Sequence, residues 1–125
     1  MPPRPARIPN GHIGISTEEL LLQELKGFQK KYLRGRAHKL QPVVYIGQKG
    51  VTGAVCDSLE DALDTHELVK VKFVENKEKE TKQRLCAELE KRTGAGLAGL
   101  IGHVAILFRS HPDPGKRKVV LPKRS

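Results

Sequence analysis

Pro42-Val43-Val44-Tyr45-Ile46-Gly47-Gln48-Lys49-Gly50-Val51-Thr52 is the stretch that decides how this chain folds. Residues 43–46 are a β-rich run, and Gly47 closes it. The run does not alternate, which predicts a strand buried on both faces or nearly so. Thr52 stands where a helix N-cap belongs. Beyond it Val55, Leu59, Ala62, Leu63 and His66 recur at helical spacing as a core stripe, leaving Asp57, Glu60, Asp61 and Asp64 to water. From residue 68 the period changes to two. Val69, Val71 and Phe73 point one way and Lys70 and Lys72 the other, a strand with one covered and one wetter face.

The flanks extend the pattern in both directions. Upstream, Ser16 and Glu19 make a capping box before Leu21, Leu25, Phe28 and Tyr32, one face of a helix that Gly27 weakens and that ends near Ala37 or His38. Residues 1–15 hold four prolines without a period and read as a disordered tail rather than a transit peptide. Downstream, residues 78–93 are helical again with Leu85, Cys86, Leu89 and Arg92 in register, and Gly94 is a natural stop. Residues 97–101 and 104–108 are apolar, and Gly102-His103 between them suits a hairpin turn. After the loop Pro112-Asp113-Pro114-Gly115, residues 116–121 read as extended, a candidate added strand. The order is α-β-α-β-α-β-β. Two strand–helix–strand units predict parallel neighbours with right-handed crossovers, and the hairpin adds an antiparallel strand. The expected fold is α/β, a small four-stranded mixed sheet with packed helices, as a single domain over residues 16–122 with tails at 1–15 and 123–125.

Charge is the distinctive quantity. The chain has 125 residues, with 23 Lys/Arg against 14 Asp/Glu, a net of +9. Residues 1–42 carry 8 basic against 3 acidic, residues 43–93 carry 9 against 10, and residues 94–125 carry 6 against 1. A balanced body is thus flanked by two cationic ends, which suits a polyanionic partner. Lys26, Lys30, Lys31, Arg34, Arg36 and Lys39 follow one another without an acidic residue, forgoing the opposite-charge pairs a solvated helix normally makes. Two cysteines cannot make a disulfide framework or a four-ligand zinc site, and no apolar run approaches the roughly 20 residues of a membrane span.

Within this frame Gly47-Gln48-Lys49-Gly50 is the leading site. It lies at the carboxyl end of a strand and just ahead of a helix N-terminus, a rim that ligands favour in open α/β sheets. Glycines let backbone amides approach an anion, the helix end contributes about half a positive charge, and Lys49 adds a full one. A plain strand-to-helix turn would also use glycine; the basic helix upstream is what favours a phosphate seat. Gly94-Ala95-Gly96-Leu97-Ala98-Gly99 fits a dinucleotide fingerprint in letters only, since it follows a helix and opens a strand. Cys56 and Cys86 read as buried free thiols. The five histidines lack metal-ligand spacing, and His66 is a helix-end residue rather than the start of a zincin motif. No residue set assembles a nucleophile, base and oxyanion donor. The few aromatics, Phe28, Tyr32, Tyr45, Phe73 and Phe108, mostly fall in core registers, so binding should rest on the sugar-phosphate backbone rather than on base readout.

At these residues the chain resembles a known family. Leu33-Arg34-Gly35-Arg36-Ala37-His38, the stretch from Pro42 to Thr52, His66-Glu67-Leu68-Val69-Lys70-Val71-Lys72, Ile101-Gly102, Leu107-Phe108-Arg109 and Lys116-Arg117-Lys118-Val119-Val120-Leu121-Pro122 together look like the CRM domain (chloroplast RNA splicing and ribosome maturation). The short length is similar to the stand-alone bacterial YhbY-type members, and the match covers roughly residues 28–122. Leu97-Ala98-Gly99-Leu100 stands where the family more often carries valine and glutamine, and the N-terminal extension has no counterpart. The resemblance implies a fold similar to the C-terminal domain of initiation factor three, association with precursors of the large ribosomal subunit, and a G-x-x-G loop similar in role to that of KH domains.

The expectation is therefore a cytoplasmic, monomeric, non-enzymatic RNA-binding protein without cofactor, metal, membrane or small-molecule substrate, whose RNA is ribosomal RNA of large-subunit precursors. Its RNA-binding residues are Gly47, Gln48, Lys49, Gly50, Arg34, Arg36 and Lys39, with Lys70 and Lys72 on the wetter sheet face. The rival reading is a protein-interaction module docking on acidic ribosomal proteins or assembly factors. Charge alone does not separate RNA from DNA.

Overall fold

The structure, a computed structural model, describes residues 25–75 and 78–122. Its elements are α1 (Gly27–Ala37), β1 (Pro42–Ile46), α2 (Gly53–His66), β2 (Leu68–Phe73), α3 (Lys79–Thr93), β3 (Gly96–Ile101) and β4 (Val104–Phe108), followed by a short 3-10 turn at Pro114–Lys116. The order is the one the periodicity predicts. The tail at residues 1–15, the Ser16–Glu19 capping box and residues 123–125 lie outside the described residues. Within them α1 starts at Gly27, where Gln29 Oε1 accepts the Lys26 amide at 2.9 Å.

The four strands form one mixed sheet in the order β1-β2-β4-β3. β1 and β2 are parallel; β2 with β4 and β3 with β4 are antiparallel. One expectation needs correcting: β2 and β3 are not neighbours, because β4 lies between them. The composition of the two strands explains the swap. Ala105, Ile106, Leu107 and Phe108 are all buried and include no polar group, so β4 gains most from a central place. β3, Gly96-Leu97-Ala98-Gly99-Leu100-Ile101, has two glycines and takes an edge.

Helices cover the two faces unequally. α2 and α3 lie on one face, over Val44, Ile46, Val69, Val71, Phe73, Ala105 and Leu107. Among the described residues α1 lies on the other and, with Val119, covers Leu68, Ala98, Ile106 and Phe108. β1 is consequently not buried on both faces as its apolar run predicts. Val44 and Ile46 are buried, whereas Val43 and Tyr45 are 47% and 56% exposed. Pro42 at the head of the strand is the edge signal that the apolar pattern masks.

Two polar anchors hold the C-terminal region. Glu60, expected to face water, is buried, and its Oε1 accepts from Arg109 Nη1 at 2.7 Å. The same guanidinium donates to Asp64 Oδ1 and the Thr93 carbonyl, each at 2.7 Å, tying α2, α3 and the end of β4 together. Glu67, next to the helix-ending His66, takes φ +62° between α2 and β2. That costs a non-glycine residue on the order of 1–3 kcal/mol. In return its buried carboxylate accepts the amides of His111, Lys118 and Val119 at 2.6, 2.6 and 2.8 Å. Residues 117–122 are therefore held by a side chain, not added to the sheet as a strand.

α3 buries Lys82, Leu85, Cys86, Leu89 and Thr93, while Arg92 faces out, within 3.6 Å of Cys56 Sγ. Lys82 Nζ donates to the Gly102 carbonyl and lies 3.0 Å from His103 Nδ1, fastening α3 to the β3–β4 turn. Both cysteines are free; Cys86 is buried and Cys56 only partly so.

Candidate nucleic-acid interface

Gly47, Gln48, Lys49 and Gly50 fold into a tight turn in which the Gly50 amide donates to the Gly47 carbonyl at 3.0 Å. Gly50 takes φ +73°, and a Cβ built there would lie 3.6 Å from Leu85 Cδ2, so the turn leans on α3. A Cβ at Gly47 would meet nothing within 4 Å, which leaves the outer side open to close approach. Gln48 and Lys49 form the exposed tip, and among the described residues their amides have no acceptor. α2 follows at once. Thr52 Oγ1 accepts the Val55 amide at 3.1 Å, as its N-cap position predicts, and the first turn carries no acidic residue. The positive end of the helix is thus unopposed there. Because the Gly50 amide is committed to the turn, an anion would meet the tip amides, the Lys49 ammonium and the start of α2.

The basic helix does not lie against this turn. α1 ends where β1 begins and the turn sits where β1 ends, roughly 17 Å away at about 3.3 Å per residue. Arg34 lies farther still, over the opposite edge of the sheet. Its Nη1 donates to the Ala98 carbonyl at 3.0 Å, at the irregularity between Leu97 and Gly99 in β3. A Cβ at Gly99 would come within 2.6 Å of Arg34 Cδ, so this glycine is the bed on which the arginine rests. Arg36 is exposed and donates to the Tyr32 hydroxyl at 3.0 Å, with its guanidinium 5.9 Å from that ring. Lys39 is exposed beyond the helix end. Lys70 Nζ donates to the Leu40 carbonyl at 3.0 Å, and Lys72 is exposed on the same sheet face. Eight of the nine residues therefore string out along β1 rather than cluster, with Arg36, Lys39 and Lys70 toward its start, Lys72 beside Tyr45 and the glycine turn at its end, while Arg34 stands apart over β3.

Tyr45, for which the sequence suggests a core register, is instead exposed. It stands between the two groups on the part of the sheet face that α1, among the described residues, leaves uncovered. Among the described residues no three His, Cys, Asp or Glu side chains converge as metal ligands, and no helix is long and apolar enough to cross a membrane.

The fold belongs to a known class. Residues 25–109 match the CRS1 / YhbY (CRM) domain model, and the chain belongs to that family. Among individual relatives, a Haemophilus influenzae protein named RNA-binding protein is 40% identical over 96 residues, covering 77% of this chain and 93% of its own length. The Bacillus subtilis "Probable RNA-binding protein YqeI" is 32% identical over 98 residues, covering 78% of this chain and 99% of its own. The solution structure of the hypothetical protein SAV1595 from Staphylococcus aureus superposes with a TM-score of 0.68 at 30% identity, covering 78% of this chain and 99% of that one.

Proposed function

We propose that this protein binds RNA without catalysing a reaction, and that its target in the cytoplasm is ribosomal RNA in precursors of the large subunit. The observation that carries the reading is the Gly47-Gln48-Lys49-Gly50 turn, with its exposed Gln48-Lys49 tip, at the acid-free start of α2 in a chain of net charge +9. Family membership and the relatives named for RNA binding support it. In this reading the turn receives the phosphate backbone, and Arg36, Lys39, Lys70 and Lys72 continue the positive track across the sheet. Arg34 contributes from the far edge through the donors that Ala98 leaves unused.

Ultraviolet crosslinking in cells, with the RNA sequenced and the peptide mapped, tests target and site together. Large-subunit ribosomal RNA joined within residues 36–50 is the expected result. Recovery of unrelated RNA would overturn the target. Co-sedimentation with ribosomal particles that survives nuclease digestion would favour docking on acidic proteins instead. With about six phosphates neutralised on a single strand, log K should fall against log salt with a slope near −4.

A further inference from the structure

Among the described residues, the sheet face under α1 is covered at one end only. At the open end a row crosses all four strands in register: Tyr45 beside Lys72, Lys72 beside Val104, and Val104 beside Ile101. At about 4.8 Å per strand the row spans roughly 14 Å. Its two ends, Tyr45 and Ile101, are 56% and 58% exposed, the latter among the most exposed large apolar side chains described. The residues of all four strands include no aspartate or glutamate, and the only charges they carry are Lys70 and Lys72.

That composition selects the occupant. A second copy of the same face would bring Lys70 and Lys72 against their own kind in a desolvated contact. A single RNA strand offers flat apolar bases joined by anionic phosphates, which matches apolar platforms set on either side of a lysine. Tyr45 is also two residues ahead of Gly47, which follows β1 directly, so a backbone held at the turn delivers its neighbouring bases to this face.

We propose that Tyr45 and Ile101 form a stacking platform for bases of single-stranded RNA, continuous with the Gly47-Gln48-Lys49-Gly50 turn and with Lys72 taking the phosphate between them. The inference rests on the RNA-binding reading above and adds to it a contact that is not electrostatic.

The two contributions separate in a salt titration. The probe is a fluorescein-labelled oligouridine of roughly 12 nucleotides, within the size range that single-strand sites cover, and its binding is followed by anisotropy. Tyr45→Ala should weaken binding by about five- to a hundredfold at every salt concentration and leave the slope of log K against log salt unchanged. Tyr45→Phe should bind like the parent, and Lys49→Ala should flatten the slope by about 0.7. If Tyr45→Ala keeps full affinity while Lys49→Ala loses it, stacking is wrong and the phosphate reading stands. If the parent protein ignores the RNA, both fail. A Tyr45→Ala variant that sediments as a smaller species at unchanged RNA affinity would assign the face to self-association and overturn the proposal.

Intrinsic fluorescence supplies an independent measure. The chain has two tyrosines and no tryptophan, so Tyr32→Phe leaves Tyr45 as the sole emitter. Its emission should be quenched as RNA saturates the protein; constant emission at saturation would also overturn the proposal.

Discussion

The two faces of the sheet are made by the same strands and have opposite fates. Along β2, Val69, Val71 and Phe73 are sealed beneath α2 and α3, while Lys70 and Lys72 look out beside α1. Along β1, buried Val44 and Ile46 alternate with exposed Val43 and Tyr45. Among the described residues, two helices of 14 and 15 residues blanket one face, and one 11-residue helix leaves half of the other bare. Stability and surface chemistry are thereby assigned to alternate residues of one strand, so each can change without the other. The sharpest test of that division is a matched pair of substitutions. Phe73→Ala should cost about 3–5 kcal/mol in denaturant unfolding, whereas Val43→Thr on the open face should stay within about 0.5 kcal/mol. Similar costs for both would mean that the open face is covered in solution.

Each side also has a polar anchor, Glu67 on the α1 side and the Arg109 guanidinium between α2 and α3 on the other. Glu67→Ala removes one acceptor from three amides and should cost about 2–4 kcal/mol. Amide exchange at His111, Lys118 and Val119 should accelerate before that of β2, and Glu67→Gln should retain part of the protection. If exchange along residues 111–119 is unaltered, the clasp is not what holds this segment. A smaller loss, about 1–3 kcal/mol, is expected for Gly99→Val, whose side chain would invade the space of Arg34. Arg34→Ala in the same molecule should recover part of that loss, a coupling a double-mutant cycle reads directly.

The same asymmetry explains what could be read from the letters alone. Helix and strand periods, the Thr52 cap, the Gly94 stop and the glycine turn depend on near neighbours in sequence, and all are present. The side chain of Tyr45 is apolar enough to suit either face, so its exposure depends on which end of the sheet α1 covers, a packing choice that distant residues make. Glu67 and Arg109 look like ordinary charged residues because their partners lie 44 to 52 and 16 to 49 positions away. Arg34 is the instructive case. It belongs to a basic run, which suggests an outward charge, yet a bulge in β3 gives it a carbonyl to bind and Gly99 gives it room.

The smallest effect belongs to the covered face and emerges only in alkali. Burial, reinforced by Glu90 and opposed by Lys82, pushes the Cys86 thiol up from 9.0 to about 11. The unfolded chain releases this proton near pH 9 and the folded one holds it until about pH 11, so the native state binds more protons across that interval. Stability contributed by the neutral thiol is therefore intact below pH 9 and falls as pH rises toward 11. Cys86→Ala should be less stable than the parent at pH 8 because it leaves a small cavity, but its stability should decline less steeply between pH 9 and 10.5, where other groups titrate in both proteins alike. Parallel slopes for Cys86→Ala and the parent would place Cys86 in contact with water, and the face beneath α2 and α3 would then be wetter than its packing implies.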